Sequence, residues 1–527
     1  MKNLYTRKAW SGLLLVCAAL IGLWAFGFVS VGRTVAQVAA AEPIGAEMGT
    51  PVALAGFGGK GDQRDADLYP ALAYDEQNSR YLLVWQTTVN AGSRNDGFDV
   101  YGLFLAADGN PLSEPFRISD RNTAARSDRA AVAVGPNGFV VAWTQRGAPC
   151  RLLVQTVTDT SGVADNVLQL GGTLHQHSPQ LVYNAQRDRF VIAYVDGDDY
   201  LPPTLFAASV ADCGDNLNSA SQIKAAEFHF ENGEPLVDTQ LTLSEALGGG
   251  FRPAMAYSSS LNRYLAAWED RRAAGGEANF FAMYAQLLDG DLTATGNNIK
   301  LSNGSYYIST DSSATWTPRP IVMASATNFL TAWYERESTN DVAIWDITAR
   351  LIGDTGAPQS AFQVAQMTYA QAPAGNAPTG FLSGAFNSIT GEYLIGISSH
   401  TESLWGYLSS ARVQRITTAG ELLRLDGSSQ TAAGVGQLID LDLDDQISIV
   451  LAANEKFGLH TGYFATYGKH APGQHSQDFN IWGGTILQGN VTPTSTPTFT
   501  ATPIPTATHT PTPTPTRIPI YLPRVFR

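Results

Sequence analysis

The sequence predicts an all-β protein that closes into a single β-propeller of about seven four-stranded blades, with six blades as the alternative. Three observations lead to this prediction. Pairs of short aromatic and β-branched runs recur along residues 66–488. Trp85 and Leu451, which end the first and last pair, are six steps apart, so the mean period is about 61 residues. Turn residues bound each run, as they bound β-strands.

Each repeat begins with a predicted hairpin and continues with a third and a shorter fourth strand. In the first repeat, Tyr69–Asp75 is the first strand and Arg80–Trp85 is the second. A third strand, 100–105, ends at a glycine turn, and Phe116–Ser119 is the fourth. Six further hairpins follow the same pattern: 131–135 with 139–143, 179–183 with 190–194, 253–257 with 264–268, 320–324 with 329–333, 381–386 with 393–397, and 438–443 with 447–451.

A bulky aromatic residue ends the second strand in five repeats. Second strands are apolar on both faces, which is typical of strands buried between two neighbouring sheets. We interpret the aromatic residues as core between blades, with ligand stacking as the alternative. They are Trp85, Trp143, Tyr194, Trp268 and Trp333.

The N-terminal segment, residues 1–41, has the pattern of a signal peptide. Lys2, Arg7 and Lys8 precede an uncharged stretch, 10–32, and small residues lead to a predicted cleavage site after Ala41. The apolar stretch is long enough to span a bilayer, so an uncleaved anchor is the alternative. Residues 42–65 form a lead-in that is a candidate for a closing strand.

The C-terminal segment differs from the repeats. Residues 489–516 are rich in threonine and proline, which predicts an extended stalk because proline fixes φ and removes the amide donor. A tail, 517–527, follows and contains Tyr521-Leu-Pro523. This ending resembles the C-termini of some secreted bacterial proteins that are displayed at the cell surface. The resemblance implies a secreted or extracellular, cell-surface location.

The repeat motif also resembles a known kind of protein. Pro70-Ala-Leu-Ala-Tyr74 followed by Tyr81-Leu-Leu-Val-Trp85 fits the pattern Pro-x-apolar-Ala-Tyr with Tyr-Leu-apolar-apolar-Trp. This pattern is similar to the repeats of secreted bacterial β-propeller proteins. Such repeats specify a fold and leave the function open.

The charge of the chain limits its partners. The formal net charge is −14, and removing residues 1–41 takes away four basic residues and no acidic ones, which leaves about −18. Such an excess disfavours nucleic acid and anionic membrane surfaces as partners. We expect an extracellular ligand, either polysaccharide or protein, and no membrane contact beyond the N-terminal segment.

Two cysteines remain after removal of the signal segment. Cys150 follows the second strand of the second repeat, and Cys213 lies in an insertion, 197–221, at the same position of the third repeat. Both cysteines are therefore expected on one face of neighbouring blades. The sequence predicts a disulfide between them, with two buried thiols as the alternative.

The motifs that resemble an enzyme do not form a catalytic set. Ser309–Trp316 resembles the Asp-box of sialidases, with Ser313 in place of glycine, but it occurs once and precedes a first strand. Arg517-Ile-Pro519 resembles a sialidase triplet but lies beyond the stalk. We therefore predict no catalytic residues and leave the binding residues unassigned. The expected function is a binding or interaction module, with a sialidase-like or glycosidase-like hydrolase as the alternative.

Metal-binding patterns are similarly incomplete. Acidic groups at 440–445, 196–199 and 95–99 offer oxygen ligands, but none has the twelve-residue calcium loop. His175 and His177 lack zinc-site spacing. We predict no metal site and no cofactor, with Ca²⁺ as the open alternative.

Overall fold

The structure is a computed structural model of the 527-residue chain. Its description covers the following residues: 46–48, 51–55, 67–87, 99–119, 127–147, 149–160, 166–170, 174–197, 213, 221–244, 249–272, 280–303, 306–307, 320–339, 342–369, 382–403, 406–434, 436–438, 446–457, 460–470 and 479–490.

These residues form 31 strands in seven antiparallel sheets, which are the blades. The lead-in supplies β1 (Ala46–Met48) and β2 (Val52–Ala55). Blade 1 contains β3 (Asp67–Asp75), β4 (Arg80–Thr87), β5 (Asp99–Ala106) and β6 (Phe116–Arg117). Blade 2 contains β7 (Ser127–Gly135), β8 (Gly138–Gln145), β9 (Arg151–Val157) and β10 (Asn166–Val167). Blade 3 contains β11 (Gln176–Asn184), β12 (Arg189–Asp196), β13 (Gln222–Glu231) and β14 (Glu234–Ser244).

The remaining blades continue in chain order. Blade 4 contains β15 (Gly250–Ser258), β16 (Arg263–Asp270), β17 (Phe280–Asp289), β18 (Ala294–Lys300) and β19 (Tyr306–Tyr307). Blade 5 contains β20 (Ile321–Ala324), β21 (Asn328–Thr339), β22 (Val342–Gly353) and β23 (Phe362–Tyr369). Blade 6 contains β24 (Leu382–Asn387), β25 (Glu392–Ser403), β26 (Gly406–Thr417), β27 (Leu422–Leu423) and β28 (Gln437–Leu438). Blade 7 contains β29 (Gln446–Phe457), β30 (His460–His470) and β31 (Phe479–Asn490), together with β1 and β2.

The blades form a closed ring. Each innermost strand contacts the innermost strand of the next blade, and β29 of blade 7 contacts β3 of blade 1. The prediction of an all-β propeller is therefore confirmed, with seven blades rather than six. Within the described part of the chain, no helix has the length and apolar character needed to cross a bilayer.

Blade 7 is assembled from both ends of the propeller. Its three C-terminal strands pair as β29-β30-β31, and the lead-in adds the outer edge. β1 pairs antiparallel with the end of β31, with Ala46 opposite Gln488. β2 pairs further along the same strand, with Val52 opposite Gly483. The first described residues of the chain therefore hold the last blade in the ring.

The core lies between the blades. Seven hydrophobic clusters occupy the seven interfaces, and each draws side chains from two neighbouring blades. The five aromatic residues that end the second strands are all fully buried in these clusters. Because indole and phenol rings bury large areas, they contribute strongly to holding the blades together.

The seventh repeat differs from the sequence interpretation. The run 447–451 was expected as a second strand, but it belongs to the innermost strand β29. The second strand is β30, which contains Tyr463. Leu438 lies in β28, which pairs with β26 of blade 6. As in repeats 2 and 6, no proline marks the first strand, and the apolar run 438–443 precedes β29 at the spacing of a hairpin partner.

Polar residues at the ends of the innermost strands connect neighbouring blades. Asn184 Nδ2 donates to Tyr264 Oη at 2.6 Å, from blade 3 to blade 4. Ser258 Oγ donates to the carbonyl oxygen of Ser325 at 2.7 Å, from blade 4 to blade 5. Asn387 Nδ2 donates to the carbonyl oxygen of Gly462 at 3.3 Å, from blade 6 to blade 7. We call the end of the ring that carries these hairpin turns the turn face.

Candidate functional site

The opposite end of the ring carries a repeated backbone irregularity. Where the first strands of blades 1 to 4 begin, their pairing with the second strand shifts register, which marks a β-bulge. One residue in each bulge has a left-handed φ of 51° to 56°. These residues are Tyr69, Arg129, Ser178 and Arg252. Such a conformation costs about 1–3 kcal/mol outside glycine and is concentrated at functional sites. This end of the ring, which we call the bulge face, is therefore the candidate site.

A hydrogen-bond network joins the bulges of blades 1 to 3. The Arg129 backbone N–H donates to Gln86 Oε1 of blade 1 at 3.2 Å. Its guanidinium Nη1 donates to Ser178 Oγ of blade 3. The Ser178 N–H donates to Thr144 Oγ1 at 3.1 Å, and His177 Nδ1 lies 3.0 Å from Ser178 Oγ. We call these five residues the bulge network.

The bulge of blade 4 contains an ion pair instead. Arg252 Nη1 lies 2.8 Å from Glu269 Oε2, and both side chains are buried. Arg271, which is fully buried, places its guanidinium 4.9 Å from the centre of the Phe251 ring. Burial strengthens such interactions because little water screens them. The arrangement holds the start of β15 against the end of β16.

Four described carboxylates of the bulge face pair with cations, whereas Glu335 accepts a 2.9 Å hydrogen bond from Thr348 Oγ1 and Asp346 accepts one of 3.1 Å from Gln366 Nε2. Glu269 pairs with Arg252. Three others do the same: Asp99 with Arg117, Asp196 with Lys224, and Asp270 with Arg272. Asp270 Oδ2 also accepts a 2.8 Å hydrogen bond from Trp268 Nε1. The side chains of Asp67 and Asp128 lie outside the description. Asp99, Asp196, Glu269 and Asp270 therefore act as internal counter-ions.

A cavity of about 290 Å³ lies on the ring axis. All seven innermost strands line it, mainly with small and aliphatic residues. Tyr69 and Arg129 extend the lining to the bulge face, and Arg129 is the one charged residue among its described lining residues. The volume is near the lower end for small-molecule pockets, which suits a single small ligand or chain end.

The cysteines lie beside the third bulge. Cys150 Sγ and Cys213 Sγ are bonded at 2.10 Å, with Cα atoms 5.4 Å apart, and connect blade 2 to the 198–220 insertion of blade 3. His175 Nδ1 accepts a 3.1 Å hydrogen bond from the Cys150 N–H. These three residues form a cluster of metal-type ligand atoms, but the two sulfurs are bonded to each other. The segment they hold leads directly into the bulge network.

The other residues considered from sequence are spread out or lie outside the description. His175 contacts the disulfide region, whereas His177 belongs to the bulge network. Asp99 and Asp196 are ion-paired with Arg117 and Lys224. The ranges outside the described residues are 95–98, 198–199, 309–316, 440–445 and 517–519.

Sequence reasoning did not identify Arg129 or the other bulge residues. A signal was present, because three of the four bulge residues directly precede a proline that opens a first-strand motif. Those prolines, Pro70, Pro179 and Pro253, are compatible with an innermost strand, which is an edge of its sheet. The position directly before the proline therefore marks the end of the axial cavity at the bulge face.

Comparisons with known proteins add the following. Neither a protein-family model nor a curated protein matches the sequence. Among solved structures, the chain is similar to the haemagglutinin-neuraminidase ectodomain of parainfluenza virus 5, with 9% identity over 91% of this chain and 95% of that one, at a TM-score of 0.39. It is similar to Trypanosoma rangeli sialidase, with 8% identity over 84% of this chain and 59% of that one, at a TM-score of 0.38. It is also similar to Penicillium chrysogenum α-L-arabinanase, with 13% identity over 69% of this chain and 93% of that one, at a TM-score of 0.36. The assignment of the fold rests on the sheet topology described above.

Proposed function

We propose that this chain is a secreted, surface-displayed propeller that binds a ligand without transforming it. The predicted export segment and Thr/Pro stalk support the location. The observation that carries the proposal is the pairing of four carboxylates at the bulge face with cations. Glu269, Asp99, Asp196 and Asp270 each contact an arginine or lysine.

This pairing disfavours glycoside hydrolysis at the described part of the channel. A glycosidase requires two carboxyl groups that face the substrate about 5–9.5 Å apart, one to donate a proton and one to act as base or nucleophile. A carboxylate whose oxygens are held by a cation is not free to contact a glycosidic bond. These four carboxylates therefore support recognition rather than acid–base chemistry.

An array experiment tests this proposal. Purified residues 42–527 would be applied to immobilised glycans, soluble polysaccharides and extracellular proteins, and released reducing ends would be measured in parallel. We expect retention of at least one ligand with no release of product above a heat-denatured control. Turnover of any bound glycan would contradict the proposal, as would the absence of binding across the array.

A further inference from the structure

Three side chains of metal-ligand type, from separate segments of the chain, meet beside the third bulge. Cys150 precedes β9 of blade 2, His175 precedes β11 of blade 3, and Cys213 belongs to the insertion that follows β12. The two Sγ atoms and a ring nitrogen of His175 all lie within 4.8 Å of one another. The expectation of no metal site rested on spacing along the chain, which does not register ligands that neighbouring blades bring together.

The hydrogen bond of His175 determines which of its ring nitrogens carries the lone pair. A backbone N–H can only donate, so Nδ1, which lies 3.1 Å from the Cys150 nitrogen, is the acceptor. The proton of the neutral ring is therefore on Nε2. The unprotonated nitrogen of a neutral imidazole is the atom that binds a transition metal, and here this nitrogen is next to Cys150.

Backbone hydrogen bonds hold Cys150 and His175 independently of the disulfide. The Gln176 N–H donates to the Cys150 carbonyl oxygen at 3.1 Å, and the Gly197 N–H donates to the His175 carbonyl oxygen at 2.7 Å. These bonds connect the start of β9, the start of β11 and the end of β12. Because they involve no sulfur atom, two of the three ligands keep their places when the two sulfurs separate.

We propose that the dithiol form of this cluster binds Zn²⁺ through Cys150 Sγ, Cys213 Sγ and His175 Nδ1. Thiolate sulfur and imidazole nitrogen are zinc ligands, and a tetrahedral ion holds such atoms about 3.5–3.8 Å apart, which the cluster reaches by small side-chain movements. Two thiolates balance the charge of the ion, so the complex is neutral where both cysteines are buried. The fourth coordination position is left to water or to an exogenous ligand.

Reduction converts the disulfide into this site. Two molecules of a small thiol supply two electrons and two protons: the bond between the Sγ atoms breaks, each Sγ takes a proton, and the small thiols become joined in a disulfide. Zn²⁺ then displaces both protons to solvent and accepts an electron pair from each sulfur and from Nδ1. In either state the cluster fastens the insertion of blade 3 to blade 2. This inference goes beyond the proposed binding function and does not depend on it.

Metal titration of the two redox forms tests the proposal. Residues 42–527 would be produced in a reducing cytoplasm and purified without oxygen, and one portion would then be oxidised to the disulfide. We expect the thiol form to bind one Co²⁺ per chain with sulfur-to-cobalt absorption in the near ultraviolet, and Zn²⁺ to displace it. Zn²⁺ should raise the melting temperature of the thiol form and leave that of the disulfide form unchanged. Equal binding by both forms, or no binding by the folded thiol form, would overturn the proposal.

Substitutions identify the ligands. His175→Gln should weaken Zn²⁺ binding by the thiol form about tenfold or more, and Cys213→Ser should remove about half of the sulfur-to-cobalt absorption. The matched control is His229→Gln, which removes another histidine of blade 3, one whose Nδ1 lies 2.9 Å from Asp238 Oδ2, and should leave affinity unchanged.

Thermal unfolding checks that each variant is folded, and the Cys213 variant retains the test if the His175 variant is not. Unchanged affinity in His175→Gln would overturn the assignment of three ligands. Binding of Ca²⁺ as tight as that of Zn²⁺ would also overturn it, because calcium prefers oxygen ligands.

Discussion

Asn454 Nδ2 donates a 3.1 Å hydrogen bond to the carbonyl oxygen of Ala107, which lies 347 positions earlier in the chain. Asn454 lies in the last part of the innermost strand of blade 7, and Ala107 lies in a turn of blade 1. The bond therefore joins the last blade to the first. Asn387 forms the corresponding bond between blades 6 and 7. The same kind of hydrogen bond, from an asparagine side chain to a backbone carbonyl, therefore joins blades within the ring and at its closure.

Replacing Asn454 with alanine should lower the free energy of unfolding by about 1–2 kcal/mol, because the half-buried carbonyl of Ala107 loses its donor. Asn387→Ala should have an effect of similar size. The control is Asn78→Ala, which alters an exposed turn without a contact between blades and should change stability by less than about 0.5 kcal/mol. Urea unfolding measures all three variants. Equal stability of the Asn454 and Asn78 variants would contradict the role given to this bond.

Gly109 lies at the interface between blades 7 and 1, and Gly233 lies away from it, so the two form a matched pair for substitution. Both have a φ of 88°, so alanine at either position adopts a strained backbone. A Cβ at Gly109 would lie 2.3 Å from the Phe464 ring of blade 7, whereas a Cβ at Gly233 meets nothing within 4 Å. We expect Gly109→Ala to cost about 1–3 kcal/mol more than Gly233→Ala, because the closing interface must shift. Thermal unfolding of the two variants decides this, and equal melting temperatures would refute it.

Deleting residues 42–55 should destabilise the ring by removing the outer strands of blade 7. The deletion exposes the edge of β31 and removes Leu54, which is buried in the cluster between blades 7 and 1. A synthetic peptide of residues 42–58 should restore part of the melting temperature by pairing with the exposed edge. A scrambled peptide is the control. An unchanged melting temperature after deletion would show that the closing strands are dispensable.

The bond between Cys150 and Cys213 predicts no free thiol in the denatured, unreduced protein after removal of the signal segment. The cysteines are 63 positions apart, and closing a loop of that length stabilises the folded state by about 4 kcal/mol in the chain-entropy model. Reduction, or substitution of both cysteines by serine, should lower the unfolding free energy accordingly. Thiol labelling is the direct measurement. Two labelled cysteines per chain would contradict the bond.

Glu392 predicts a pH dependence of stability. It is buried, its carboxylate accepts 2.9 Å hydrogen bonds from Arg415 Nε and Gln488 Nε2, and burial raises its pKa above the ordinary value despite the Arg415 charge. The folded state therefore holds this proton more tightly than the unfolded state. The resulting stabilisation is fully present below the ordinary glutamate pKa and is lost as pH rises through the folded pKa.

Glu392→Gln removes this titration and isolates its effect. The stability of the unsubstituted protein minus that of the variant should increase as pH falls from 7 towards 4. Urea unfolding at several pH values measures the difference. A difference that instead grows as pH rises would mean that the pKa of Glu392 is lowered in the folded state.

The sequence by itself determined the repeat, the strand character and the aromatic core, because these depend on local periodicity. The bulky residue that ends the second strand in five repeats was recognisable from sequence alone, and all five are buried. The prediction was wrong for the seventh repeat, where the apolar run 438–443 precedes the innermost strand at hairpin spacing. A pattern along the chain cannot tell an innermost strand from its neighbour where an additional apolar run adjoins the repeat.

Only the tertiary structure decided how the ring closes and where its polar groups meet. The pairing of Ala46 with Gln488 and the bond from Asn454 to Ala107 join residues hundreds of positions apart. The bulge network likewise brings Gln86, Arg129 and Ser178 together from three blades. A proline after three of the bulge residues marks their position in the chain, but no local pattern shows which residues meet across blades, because each is compatible with an ordinary strand end. These contacts form because the ring arranges seven separate sheets around one axis.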